Sequence, residues 1–84
     1  MKSCEVEINV KNDKDARPIA FLVQTASQFE SKIYIDYEDK HVNAKSIMGM
    51  MTLTLTNGNK AVITAEGNDE NEALAKLEEF LTKG

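Results

Sequence analysis

Two short segments of this 84-residue chain hold the side chains that could do chemistry: Lys14-Asp15-Ala16-Arg17-Pro18 and Lys45-Ser46-Ile47-Met48-Gly49-Met50-Met51. In the first, Asp15 stands where a helix N-cap belongs, and Pro18 falls in the first turn, where its missing N–H costs little. Arg17 offers a planar, permanently charged fork that suits phosphate, and a helix N-terminus presents free N–H groups to the same anion. A carboxylate such as Asp15 can in principle carry a phosphoryl group as an acyl phosphate, but nothing nearby suggests the metal site that usually assists that step. In the second segment Ser46 reads as the N-cap of a brief helix running to about Met51 or Thr52. A phosphate on its hydroxyl would bring about −1.5 to −2 charges to a helix end that favours them, changing the surface more than the fold. Ile47, Met48 and Met51 cannot all be buried in so small a protein, and partly exposed methionines are adaptable docking residues. Met50 is expected to point inward and Gly49 to let a partner approach closely. His41, the only histidine, follows the Glu38-Asp39-Lys40 turn and reads as a surface residue on an edge strand.

The elements that must position these groups follow from periodicity. Cys4, Val6, Ile8 and Val10 alternate with Ser3, Glu5, Glu7 and Asn9, a half-buried strand. Lys11 to Lys14 read as a loop. Ile19, Leu22, Val23 and Ala26 recur at helical spacing toward a core, with Phe29 closing the helix, while Arg17, Ala20 and Gln24 share a different face. Ile33, Ile35 and Tyr37 predict a second strand, His41 to Ala44 a short third one, and Lys60 to Glu66 a fourth after the Asn57-Gly58-Asn59 turn. Asp69 with Glu72 has capping-box spacing, and Ala73, Leu74, Leu77, Phe80 and Leu81 stripe a last helix that stops near Lys83. The order β-α-β-β-α-β-α predicts an α+β fold: a four-stranded, mostly antiparallel sheet covered on one face by three helices, in one domain spanning 1–84.

Bulk properties narrow the functions. A chain this short buries only about 60% of its unfolded surface, which leaves no room for an internal cleft, so a site belongs on the outside. The composition, 42% hydrophobic and 29% charged, is that of a globular protein. The longest apolar run, Ile19 to Val23, falls far short of a membrane span, and residues 1–10 are not read as a signal peptide. The single cysteine, Cys4, allows no intrachain disulfide and no metal cluster. These features fit a cytoplasmic protein without metal or cofactor. A net charge of −4 without a basic stripe argues against direct binding to nucleic acid, so any control of genes would run through another protein.

The two segments, together with Val23-Gln24-Thr25-Ala26-Ser27, Val42-Asn43-Ala44-Lys45-Ser46-Ile47-Met48-Gly49 and Asp69-Glu70, resemble the HPr family, the small phosphocarriers of the bacterial sugar phosphotransferase system. In that family the first motif reads Gly-Leu-His-Ala-Arg-Pro-Ala and its histidine accepts the phosphoryl group. Here Asp15 takes the histidine's place while the serine motif is intact, as in the histidine-lacking, HPr-like branch of the family, the Crh proteins. Asp13, Lys14 and Ile19 depart from the family's Gly, Leu and Ala, which puts docking of the upstream phosphotransferase enzyme in doubt.

The resemblance implies an open-faced sandwich of four strands and three helices. It also implies that Ser46 is phosphorylated by a bifunctional HPr kinase/phosphorylase, and that the phosphoserine form binds CcpA, a LacI-type repressor, as corepressor. Arg17, Ala20, Gln24, Ile47, Met48 and Met51 would form the contact surface. On this reading the chain is an adaptor and not an enzyme, Asp15 and Arg17 are the remnant of a phosphocarrier site, and a monomer is expected. Two alternatives stay open: a phosphocarrier of sugar uptake, which needs an acceptor such as Asp15, and an unmodified decoy that binds HPr partners.

Overall fold

The computed structural model describes residues 1–10, 17–53 and 55–83, with only the backbone of Arg17 and Lys83. In chain order the elements are β1 (Lys2–Glu7), α1 (Arg17–Ala26), β2 (Lys32–Tyr37), β3 (Lys40–Asn43), α2 (Ile47–Met50), β4 (Lys60–Glu66) and α3 (Glu70–Lys83). The sheet runs β1-β4-β2-β3 and every neighbouring pair is antiparallel.

Strict alternation along the strands decides which way the sheet faces. Val6, Ile33, Ile35, Tyr37, Ala61, Ile63 and Ala65 are all buried, with Ile35 opposite Ile63 and Val6 opposite Ala61. Leu22 and Ala26 of α1, Met50 of α2 and Ala73, Leu77 and Leu81 of α3 complete this core. Full burial of each isoleucine contributes about 1.5–3 kcal/mol. A one-residue slip would turn the whole set toward solvent, so the core fixes the register. The opposite sheet face is polar. On it Glu5 pairs with Val62, Val62 with Asp36, and Asp36 with His41.

Several ends differ from those expected. Regular β1 pairing stops at Glu7, yet the chain stays anchored through Val10. Ile8 donates to Asn59 O at 2.8 Å and accepts from Gly58 N at 2.9 Å. The Asn57 side-chain amide then stands in for a strand partner, accepting from Val10 N at 2.8 Å and donating to Val10 O at 3.1 Å. Helix α1 ends at Ala26 and not at Phe29, because Gln28 N and Phe29 N reach back only three residues, to Thr25 O and Ala26 O, tightening the last turn. Strand β3 begins at Lys40, opposite Tyr37, one residue before the expected His41 and ends before Ala44.

The start of α3 also departs from its expected cap. Asp69 precedes the helix, with Ala73 N donating to its carbonyl at 2.9 Å. Its carboxylate does not close a box with Glu72. It crosses to the α1–β2 loop, accepting from Glu30 N and Ser31 N, both at 2.9 Å, and from the Ser31 hydroxyl. These bonds, the hydroxyl's first, hold the Asp69 carboxyl below its usual pKa. The Glu70 carboxylate closes the turn before the helix, accepting from Gly67 N at 3.1 Å.

Candidate functional site: an apolar face beside a capping serine

The β3–α2 connection is built to present Ser46. Asn43 folds the turn: its side-chain oxygen accepts from Lys45 N at 2.8 Å and its carbonyl from Ser46 N at 3.0 Å. Ser46 takes the extended conformation of a cap (φ −98°, ψ 111°), and its Oγ accepts from Gly49 N at 3.2 Å. Met50 N donates to Ser46 O at 2.9 Å to start the helix, and the Thr52 hydroxyl closes its far end on Gly49 O at 2.7 Å. Lys45 reaches across to Phe29 O at 2.6 Å, tying this turn to the chain that leaves α1.

Buried Met50 pins α2 to the core, which leaves Ile47 (46% exposed), Met48 (82%) and Met51 (54%) outside, as expected. A Cβ on Gly49 would face inward, 3.5 Å from Ser46 Oγ and 3.7 Å from Val42 Cβ. The room the glycine leaves is beside the serine hydroxyl.

Helix α1 brings a second set of side chains to the same face. Ala20 and Gln24 are exposed and, with Phe21, Val23, Ser27 and Ile47, line a shallow groove between α1 and α2. The structure therefore places Ala20, Gln24 and Ile47 along one groove. Arg17 heads α1, with only its backbone described. Asp15, with its expected capping role, lies outside the described residues, as does the loop around it. Phe21 is the residue that sequence reasoning missed. It is 52% exposed and stacks on Phe80 of α3 with ring centroids 4.8 Å apart. The available signal was a large apolar residue lying off the buried stripe of Ile19, Leu22 and Ala26. Among the described residues, the exposed large hydrophobic side chains are Phe21, Ile47, Met48, Met51 and Met1.

The remaining candidates lie elsewhere. His41 is exposed on the edge strand, with Nδ1 2.5 Å from Asp36 Oδ1 and its ring stacked on Tyr34. Its neighbour Val42 packs toward the core, so the imidazole faces away from the helices. The Cys4 thiol is pushed up from its ordinary pKa, first by burial and then by Glu78, which disfavours the reactive thiolate. Among the described residues no group of three or more His, Cys, Asp or Glu could hold a metal ion, and no helix is long and apolar enough to cross a membrane.

A serine-capped turn beside an apolar groove, on a β1-β4-β2-β3 sheet, can be compared with known proteins. The family model for the PTS HPr component phosphorylation site matches residues 2–83. The chain belongs to the HPr family. The HPr-like protein Crh of Halalkalibacterium halodurans is 46% identical over 79 residues, covering 94% of this chain and 94% of the relative. Among solved structures, the phosphocarrier protein HPr of Bacillus anthracis superposes with a TM-score of 0.90 at 42% identity, covering 96% of both chains. The crystal structure of Bacillus subtilis Crh gives 0.72 at 39% identity over 90% of this chain and 83% of that one, and is described as a dimer with a swapping domain. That dimer overturns the grounds for expecting a monomer. A swapped element makes between chains the contacts it would make within one, so the hydrophobic pattern of a sequence is the same in both states.

Proposed function

We propose that this HPr-family chain is a regulatory protein of carbon catabolite repression, phosphorylated on Ser46 by HPr kinase/phosphorylase and then binding a CcpA-type repressor of the LacI family as corepressor. The observation that carries this reading is the setting of Ser46. Ser46 is partly exposed, its hydroxyl is engaged by the Gly49 amide alone among the described residues, and exposed Ile47 follows it directly. The first amides of a helix lack intrahelical acceptors, so a phosphate there gains donors without disturbing the core. The similarity to Crh over most of the chain supports the same reading.

In this proposal the chain is one cytoplasmic HPr-like domain with no catalysis of its own, and it contacts the repressor and not DNA. Arg17, Ala20, Gln24, Ile47, Met48 and Met51 form the docking face around the phosphoserine. Asp15, in place of the histidine that carries phosphate in the resembling motif, removes ordinary phosphocarrier activity and leaves Arg17 as the remnant of that site.

Incubation with the kinase and ATP, read by intact mass and peptide mapping, is expected to place one phosphate on Ser46. Only the phosphorylated form should then bind the repressor. Absence of modification would favour the unmodified decoy. The close superposition on a phosphocarrier HPr supports the carrier reading. Phosphoryl transfer to this chain from phosphoenolpyruvate through the upstream enzyme would establish it and displace the regulatory one.

A further inference from the structure

We propose that Phe21 determines specificity within the docking face, its ring receiving an apolar side chain from the protein that recognises phosphorylated Ser46. This deepens the function proposed above and rests on it. Three observations lead there. First, Phe21 is 52% exposed although α1 has a fully buried stripe beside it. Exposed apolar side chains gathered on one face of a small protein mark a contact surface. Second, the ring is braced: Phe80 stacks on it at 4.8 Å with an interplanar angle of 25°, and Phe80 itself packs against the core. A ring whose orientation is set before binding loses little freedom on contact, and such rigid aromatic anchors dominate interfaces. Third, among the described residues the lining of the groove carries no charged side chain. Phe21 shares it with Ala20, Val23, Gln24, Ser27 and Ile47, so a charged group entering it would shed water and find no opposite charge.

Ile47, which lines the groove, is the next residue in the chain after Ser46. One partner can therefore engage both, with a cationic pocket for the phosphoserine and an aliphatic side chain beside it for Phe21. The occupant thus follows from the uncharged side chains described in the groove and from the place of Ile47, which lines it and directly follows Ser46.

The test uses kinase-treated full-length protein and a CcpA-type repressor, with affinity measured by titration and phosphorylation verified by mass. Phe21→Ala is expected to weaken binding about 10-fold with Ser46 phosphorylated to the same extent. Phe21→Leu, which keeps an apolar body, should stay within about 3-fold of the parent, a small loss on the scale of interface truncations. Phe80→Ala should weaken binding by an intermediate amount, and Phe21→Ala with Phe80→Ala should lose no more than Phe21→Ala alone, since Phe80 acts through Phe21. If the alanine variant fails to fold, Phe21→Gln, a good helix former, is expected to show the same loss. Parent-like affinity of the folded Phe21→Ala or Phe21→Gln variant overturns the inference while leaving the proposed function standing. So does a Phe21→Leu loss as large as that of alanine. A phosphorylated parent that does not bind the repressor overturns both.

Discussion

Ser31 and Ser46 are each paired with a glycine and a helix start, yet one forms a closed joint and the other an open one. Ser31 is 1% exposed and donates its hydroxyl to Asp69 at the head of α3. A Cβ on Gly67 would lie 2.6 Å from its Oγ and 2.7 Å from its Cα. Ser46 is only partly buried, accepts one amide at 3.2 Å, and faces a Gly49 whose added Cβ would sit at an ordinary 3.5 Å. The same residue types thus serve cohesion at one corner and accessibility at the other. What separates them is whether the serine hydroxyl is spent on a partner brought from elsewhere in the chain. Modifying Ser31 would break the joint between α3 and the α1–β2 loop, whereas modifying Ser46 adds charge to a surface already formed.

The sharpest way to break this contrast is to fill both glycines. Gly67→Ala puts a methyl inside contact distance of backbone at φ 154°, so the chain must shift. Overpacking of this kind costs about 2–3 kcal/mol. The thermal midpoint should fall by about 10–20 °C, measured by circular dichroism. A loss near zero would mean that the Ser31 corner is as loose as the Ser46 corner.

Acid should open the closed joint next. The Ser31 hydroxyl and the amides of Glu30 and Ser31 hold the Asp69 carboxyl below its usual pKa. Its contribution to stability is therefore complete above about pH 4, the unfolded value, and is lost as pH falls through the lowered folded one. Asp69→Asn should be less stable than the parent near neutrality, with the gap closing at low pH in denaturant titrations. Parallel stability curves would show that the carboxylate charge is not what holds the corner.

At the open joint the expected loss is smaller. Ser46→Ala removes one N-cap bond, about 1 kcal/mol, while abolishing phosphorylation and, on the proposed function, repressor binding. A variant that binds as well as the kinase-treated parent would end the regulatory reading.

How much of this was legible beforehand depends on how local the cause is. The strands and the inward set of Ile33, Ile35, Ala61 and Ile63 could be read because alternation is a property of adjacent residues, and the Ser46 cap because it acts three residues away on Gly49. Asp69 could not: its spacing to Glu72 is local, but the amides it takes belong to Glu30 and Ser31, brought near only by the fold. Phe21 is the same case, since Phe80 on another helix braces its ring. The part played by Gly49 depended on which way a missing side chain would point, and only the backbone of α2 decides that.

Gly49→Ala is therefore the finest test of the open joint. In the unmodified protein a methyl 3.5–3.7 Å from Ser46 and Val42 makes ordinary contacts. Alanine also favours the helix over glycine by up to about 1 kcal/mol, so stability should hold or rise slightly. A phosphate on Ser46 needs more room than the hydroxyl, and the added methyl stands next to the oxygen that must carry it. The variant should accordingly fold at least as well as the parent, while the kinase modifies it more slowly in a timed mass assay. If modification runs at the parent rate, the space beside Ser46 is irrelevant to the phosphate. The openness of this joint would then lie entirely on its outer face, with Ile47 and Met48.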